Sequence, residues 1–142
     1  MSKELMEYFN KQPRLGTLST ASADGEVNVA YFGSAHMPDE NTVVIGMGHN
    51  RSYANLRQNP NAVFMIMEPG ESPPSWKGVR VYLRMKDNRE TGRKIDELRA
   101  KIAEKVGEMT AKKMIHAYVE LEVGEIRPFA DFGQTWRESI GA

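Results

Sequence analysis

The chain has 142 residues, 40% apolar and 27% charged, with 19 basic residues balanced by 19 acidic ones. That length buries a real core and is read as one domain spanning residues 1–142, while the neutral balance excludes a general electrostatic grip on nucleic acid, which needs a basic surplus or a dense basic face. The absence of cysteine excludes disulfides, zinc thiolate sites and a cysteine nucleophile.

No segment reaches the roughly 18–20 apolar residues of a membrane span. The opening MSKELMEYFNKQP carries Glu4 and Glu7 and lacks the apolar stretch of a secretory signal, so a cytoplasmic protein is expected. Residues 2–11 are predicted as a short helix: Ser2 caps it, Glu4 sits at its positive end, Leu5, Met6 and Phe9 share a face, and Pro13 prevents its continuation. RLGTLST then reads as a strand. ADGE reads as a hairpin, because Asp-Gly suits the positive φ angles of a type I′ turn.

The return strand, EVNVAYFGSAHM, sets Val27, Val29 and Tyr31 on one face and Asn28, Ala30 and Phe32 on the other. Neither face is simply polar, so the strand is either buried on both sides or reserves one for a ligand or partner. PDEN turns the chain into TVVIGM, a third strand rich in β-branched residues. Beyond it, GMGHNRSYANLRQNP passes through two glycines into a short helix over 51–59, stopped by Pro60.

NAVFMIM has the continuous apolar character of a central strand, and EPGESPPSW must be a loop. In GVRVYLRMK, Val79, Val81, Leu83 and Met85 point inward, and Arg80, Tyr82, Arg84 and Lys86 outward. Residues 92–106 form the strongest helix, with Ile95, Leu98, Ile102 and Val106 on one stripe and Gly107 as its stop. AYVELEV alternates as a last strand before the aromatic tail Phe129, Phe132 and Trp136. Five or six antiparallel strands with short turns and two or three small helices predict a mainly β fold with flanking helices. The expected form is a closed or split β-barrel, six-stranded and of Greek-key type.

Few residues offer chemistry of their own. His36, His49 and His116 have no metal-ligand spacing and read as partly exposed strand-end histidines. Ser34, Ser52 and Ser75 lack the Gly-x-Ser-x-Gly elbow of serine hydrolases. GMGHNR has neither a full dinucleotide fingerprint nor the Lys-Ser/Thr ending of a P-loop. Lys77, Arg80, Arg84, Lys86, Arg89, Arg93 and Lys94, with Tyr82 among them, could form a nucleic-acid face, but Asp87, Glu90, Asp96 and Glu97 dilute it to a solvated one.

The turn at Arg51 and Ser52 is the best candidate. Amide groups at a helix start favour an anion, Arg51 can grip a phosphate through two hydrogen bonds, Ser52 adds a hydroxyl donor, and Gly46 and Gly48 permit close approach of a ligand. The plainer alternative is that Asn50 or Ser52 caps the helix while Arg51 faces water.

Taken in order, these pieces resemble the FMN-binding split-barrel family, which includes pyridoxamine 5′-phosphate oxidases and small flavin-binding proteins. The likeness runs from about residue 3 to residue 127: an N-terminal helix, Gly16, Leu18 and Thr20, the turn at Asp24-Gly25, NVAYFG, VVIGM, and NRS leading into Asn55, Leu56, Asn59 and Pro60. The resemblance implies that Arg51 and Ser52 bind the FMN phosphate, with His49 and Asn50 in the same turn and Asn55 supporting it. It places Ala30, Tyr31 and Phe32 beside the isoalloxazine ring and Met47 and Gly48 at the end of the third strand. It also implies a homodimer with FMN near the interface, and makes Trp76 and the C-terminal aromatics candidates to cover the partner's flavin.

Ser52 stands where the family's turn often carries an additional lysine. The strand that the resemblance sets beside the flavin lacks the Arg-x-x-x-x-Lys pattern of true pyridoxamine phosphate oxidases, and EIRPFADFGQTWRESIGA lacks their C-terminal Arg-x-His-Asp-Arg pattern. The expectation is therefore an FMN-dependent oxidoreductase or electron carrier without that specific activity. No protein residue is required as acid or base, because the redox chemistry is the cofactor's. The alternative is a barrel that binds haem, a deazaflavin or nucleic acid without redox catalysis.

Overall fold

A computed structural model of the protein describes residues 2–11 and 14–141. Helix α1 (Lys3–Asn10) starts where Ser2 Oγ accepts the Leu5 amide at 3.3 Å. It buries Leu5, Tyr8 and Phe9, and the Phe9 ring lies 5.0 Å from that of Phe64. Asn10 completes the junction: its side-chain amide donates to the Met37 carbonyl and accepts the Met37 amide, both at 2.8 Å. Pro13, expected to end this helix, lies outside the described residues.

Seven strands follow: β1 (Leu15–Ala21), β2 (Val27–Tyr31), β3 (His36–Asp39), β4 (Thr42–Met47), β5 (Asn61–Glu68), β6 (Lys77–Arg89) and β7 (Ala117–Pro128). They pair antiparallel in one sheet, ordered β2-β1-β5-β6-β7-β4-β3. Strand β4 lies beside β7, yet its chain continues to β5, a Greek-key connection. The count is seven rather than six because EVNVAYFGSAHM is not one strand. It breaks at residues 32–35, and its two halves become the opposite edges of the sheet.

That break dictates closure. Laid flat, seven strands about 4.8 Å apart would set the edges about 29 Å from each other. Five Cα–Cα steps from Tyr31 to His36 reach at most about 18 Å, so the sheet must curl into a barrel with a seam between β2 and β3. Register shifts between Val81 and Leu83 and between Met85 and Asp87 bend the long β6–β7 pair, as bulges do. Inside are Leu18, Val43, Ile45, Phe64, Val81 and Leu121, each 0% exposed and each contributing about 1.5–3 kcal/mol by burial.

The β1–β2 hairpin also departs from expectation. Gly25 has φ 84°, and among the described residues no non-glycine has positive φ, so Asp24 cannot adopt a type I′ geometry. The Gly25 amide donates to the Ser22 carbonyl at 3.0 Å, and the Ser22 amide to the Glu26 carbonyl at 2.9 Å. This is an ordinary turn closed by one left-handed glycine.

Strand β4 is buried at all six positions because both of its faces are covered. Val43, Ile45 and Met47 face the barrel, while Val44 packs against Ile95, Leu98 and Ile115. Those residues come from α3 (Arg93–Val106), the segment that follows it, and the β7 approach; α4 (Glu108–Met114), a helix not expected from the sequence, joins α3 through Gly107 at φ 88°. A short α5 (Trp136–Ser139) is pinned by the Ser139 hydroxyl, which donates to the Gly78 carbonyl at 2.7 Å.

The outer face of β2 is apolar and bare: Val27 is 83% exposed, Val29 64% and Tyr31 62%. Cross-strand register continues this face through Thr17 and Ser19 to half-buried Val63, Met65 and Met67, with Leu15 at its end 50% exposed.

Candidate functional site

Helix α2 (Arg51–Gln58) begins at the end of β4 because Asn50, in extended conformation, accepts the Tyr53 amide on its side chain at 2.9 Å. Asn50 is thus the cap that the plainer sequence reading offered. With Tyr53 satisfied, the amides of Arg51 and Ser52 remain for another acceptor at the helix's positive end. The Arg51 side chain is exposed and has no ion pair among the described residues.

Ser52 and Asn55 face the other way. Ser52 is 1% exposed and accepts from Asn28 Nδ2 at 3.3 Å, while Asn55, 5% exposed, donates to Thr20 Oγ1 at 3.1 Å. These two bonds clamp α2 onto β2 and β1. They set the direction of the helix start, with Arg51 as its outward-facing charge.

Beside this start lies a cavity of about 450 Å³ at the barrel seam. One wall is the chain from Tyr31 through Phe32 and Gly33 to Ser34; another is Gly46, Gly48 and Asn50. The third, absent from the sequence-based site, is apolar: Ile102 and Val106 of α3 with Met114 and Ile115, and Lys105 at the rim. The glycines have a structural reason beyond ligand approach. A Cβ on Gly46 would lie 2.6 Å from Ile115 Cδ1, and one on Gly48 would lie 3.1 Å from the Met114 carbonyl oxygen, so both admit the α3–α4 segment.

The predicted residues therefore divide. Tyr31, Phe32, Gly48 and Asn50 line the cavity, and Arg51 adjoins Asn50. The Met47 side chain is 0% exposed in the core, leaving only its carbonyl, which accepts the His116 amide at 2.7 Å. Ala30 is half-buried opposite Leu18. His49 is exposed and stacks on His116 with ring centroids 4.0 Å apart, a pairing no spacing in the sequence signals. Among the described residues no three His, Asp or Glu side chains gather as a metal site.

A flat, three-ring cofactor with a phosphate tail fits this arrangement. The Tyr31–Ser34 segment and apolar Ile102 and Val106 line a cavity within the usual 300–1,000 Å³ of ligand pockets, Gly46 and Gly48 lie packed on Ile115 and Met114, and the open helix start next to Asn50 supplies anion donors. Were a flavin bound, these residues would orient its ring and exclude water, and the redox chemistry would be the cofactor's own.

A second cavity, of about 360 Å³, shares Gly33, Ser34 and Lys105 with the first and continues along His36 and Lys101. Burial, then the charges of Lys101, Arg14 and Lys105, hold the His36 imidazole below its ordinary pKa; a bond to the Ser34 backbone opposes this. Arg14 stacks its guanidinium over Phe9 and Phe64 and donates through Nη2 to the Ala35 carbonyl. Its Nε and Nη1 are buried without a hydrogen-bond partner among the described residues, and burial lowers its pKa.

Elsewhere, Arg80 pairs with Asp131, Lys86 with Glu120, Arg89 with Asp87, Arg93 with Glu97, and Lys94 with both Asp87 and Glu120. Acidic partners thus interleave the basic stripe. Trp76, Phe129 and Phe132 meet Pro73 and Pro74 in a groove of about 560 Å³ that shares no residue with the seam cavities.

Several solved structures share this fold. An FMN-binding protein from Syntrophomonas wolfei subsp. wolfei is 23% identical over 90% of this chain and 88% of that one, with a TM-score of 0.75. A FAD-binding protein from Mesorhizobium loti is 17% identical over 89% and 90%, TM-score 0.64. HutZ, the heme storage protein from Vibrio cholerae, is 16% identical over 87% and 92%, TM-score 0.65. No curated protein matches the sequence at a significant level. The model of the pyridoxamine 5′-phosphate oxidase family matches residues 1–127, nearly the whole chain. With the split barrel and its seam in place, the chain belongs to the pyridoxamine 5′-phosphate oxidase family.

Proposed function

We propose that residues 1–142 form one split-barrel domain that binds FMN in the seam cavity and serves a redox role, as a flavin-dependent oxidoreductase or electron carrier. The observation that carries this reading is the cavity lined by the Tyr31–Ser34 segment and the α3–α4 wall, with Asn50, the residue before the uncommitted amides of Arg51 and Ser52, in its lining. Arg51 and those amides hold the phosphate; Tyr31, Phe32, Gly48 and Asn50 flank the ring. The flavin-binding proteins of the same fold support a flavin here. The flavin-facing strand lacks Arg-x-x-x-x-Lys and the C-terminal segment lacks Arg-x-His-Asp-Arg, which argues against pyridoxamine phosphate oxidation.

The protein works as a homodimer in this reading. The bare Val27, Val29, Tyr31 face and its extension onto Met65 and Met67 support a second copy as its cover, since soluble monomers rarely expose a contiguous apolar face. Tyr31 belongs both to that face and to the cavity, so the flavin lies close to the interface.

Visible absorption after adding FMN and removing the excess tests the reading. Flavin bands should pass through gel filtration at about one FMN per chain. Arg51→Ala should weaken FMN about 10- to 150-fold, the loss of a charge-assisted phosphate contact. Unchanged affinity in that variant would overturn the phosphate assignment. The stacked His49–His116 pair beside the cavity favours haem as the second reading; a Soret band on hemin titration, with no retained FMN, would establish it.

A further inference from the structure

The overall charge balance hides a local imbalance at the seam. Five basic residues belong to α3: Arg93 pairs with Glu97, Lys94 with Asp87 and Glu120, and Arg99 with Asp96. Lys101 and Lys105, one turn apart on the face toward the 32–38 loop, have no ion pair among the described residues. Both line the 360 Å³ cavity with Asn10, Gly33, Ser34 and His36, and no carboxylate lines either that cavity or its 450 Å³ neighbour. Other cavities differ, with Glu122, Asp96 and Glu108, or Glu138 in their walls. Arg14, bonded to the Ala35 carbonyl and with no carboxylate partner among the described residues, adds a fixed positive charge behind the loop.

We propose that the smaller cavity is an anion subsite, in which Lys101 and Lys105 grip a phosphate or carboxylate borne by a small molecule whose body extends into the adjoining 450 Å³ cavity. Two ammonium groups one helical turn apart can converge on one anion, and Gly33 lets the loop backbone approach it. Ser34 supplies a neutral hydrogen-bonding group, and no acid lines the cavity. Gly33, Ser34 and Lys105 line both cavities, which sets the two side by side. The subsite stands on its own geometry; naming its ligand as the flavin's reaction partner rests on the FMN reading above.

The test is a titration of the full chain, with and without FMN, by inorganic phosphate and separately by succinate, following the backbone amide resonances of Gly33, Ser34 and His36. Saturable shifts at these amides are expected. In the Lys101→Gln/Lys105→Gln variant, whose exposed side chains carry no packing, the dissociation constant should rise at least about tenfold. The Lys112→Gln/Lys113→Gln variant, with the same change in net charge, should titrate like the parent. Tighter phosphate identifies a phosphate-bearing ligand, and tighter succinate a carboxylate-bearing one.

Absent shifts, or equal affinity in the Lys101/Lys105 variant, would overturn the subsite. If phosphate shifts these amides but FMN does not bind, the subsite stands and the flavin reading fails. If FMN abolishes the phosphate shifts and the Lys101/Lys105 variant loses FMN affinity, the cavity is the flavin's own phosphate site, and the separate ligand is refuted.

Discussion

Replacing Val29 by lysine tests the proposed dimer at the middle of the β2 face. Val29 is 64% exposed, and full burial of a valine contributes about 1.5–3 kcal/mol, so covering what remains open contributes about 1–2 kcal/mol. In a twofold interface the same patch is used by both copies, which doubles the loss to about 2–4 kcal/mol before any cost of desolvating the ammonium. The dissociation constant should therefore rise between about 30-fold and about 800-fold. Sedimentation equilibrium over a concentration series reads that change directly. The fold of each protomer should survive, because Val29 belongs to no core cluster and its cross-strand partner is the exposed Ser19. A parent protein that stays monomeric at tens of micromolar, or a variant that dimerises as tightly as the parent, would refute the reasoning.

Two further outcomes follow from the packing and the charges. Leu98→Ala should lower the unfolding free energy by about 2–5 kcal/mol in urea titrations, because Leu98 is 5% exposed in the small cluster holding α3 on β4; a loss below about 1 kcal/mol would mean that the α3–α4 segment is not part of the cooperative fold. His36 is held below its ordinary pKa, so the folded state binds fewer protons there than the unfolded chain does. Its contribution is fully present above about pH 6.5 and is lost as the pH falls from there through the lowered native value. His36→Asn should flatten stability against pH just below about 6.5, a window above that of Asp39, Asp87 and Asp131, whose own depressed values act from the ordinary carboxylate range downward; an unchanged slope would refute the assignment.

The sequence made much of this fold legible, and the failures have physical causes. Period-two alternation located β6 and β7, and apolar runs located β4 and β5, because local patterning reports which faces are buried. It could not report that VNVAY and HMPD belong to opposite edges of a sheet, since that depends on how five intervening strands pair. Gly33 and Ser34, in the middle of an otherwise apolar run, were the available sign of the break. Helix α4 escaped because EMTAKKM buries only Ala111 and has no apolar stripe.

In the candidate site, the turn at Asn50 and Arg51 was readable because capping is local chemistry. The α3–α4 wall was not, as the contact of Met114 and Ile115 with Gly46 and Gly48 is made across more than sixty residues. Ser52 shows what residue type alone does not report: it is 1% exposed, and its hydroxyl accepts from Asn28 inside the fold.

The seam has a dynamic consequence. Between β2 and β3 the barrel lacks the ladder of backbone bonds that joins every other neighbouring pair, so opening there breaks the fewest interactions and sets the lowest local free energy of the sheet. A ligand spanning Tyr31–Ser34 and Gly46–Asn50 acts as a removable crosspiece in that gap. Amides of both segments should then exchange with deuterium fastest in the empty protein and slow in proportion to occupancy, making the barrel's weakest line also its gauge of loading.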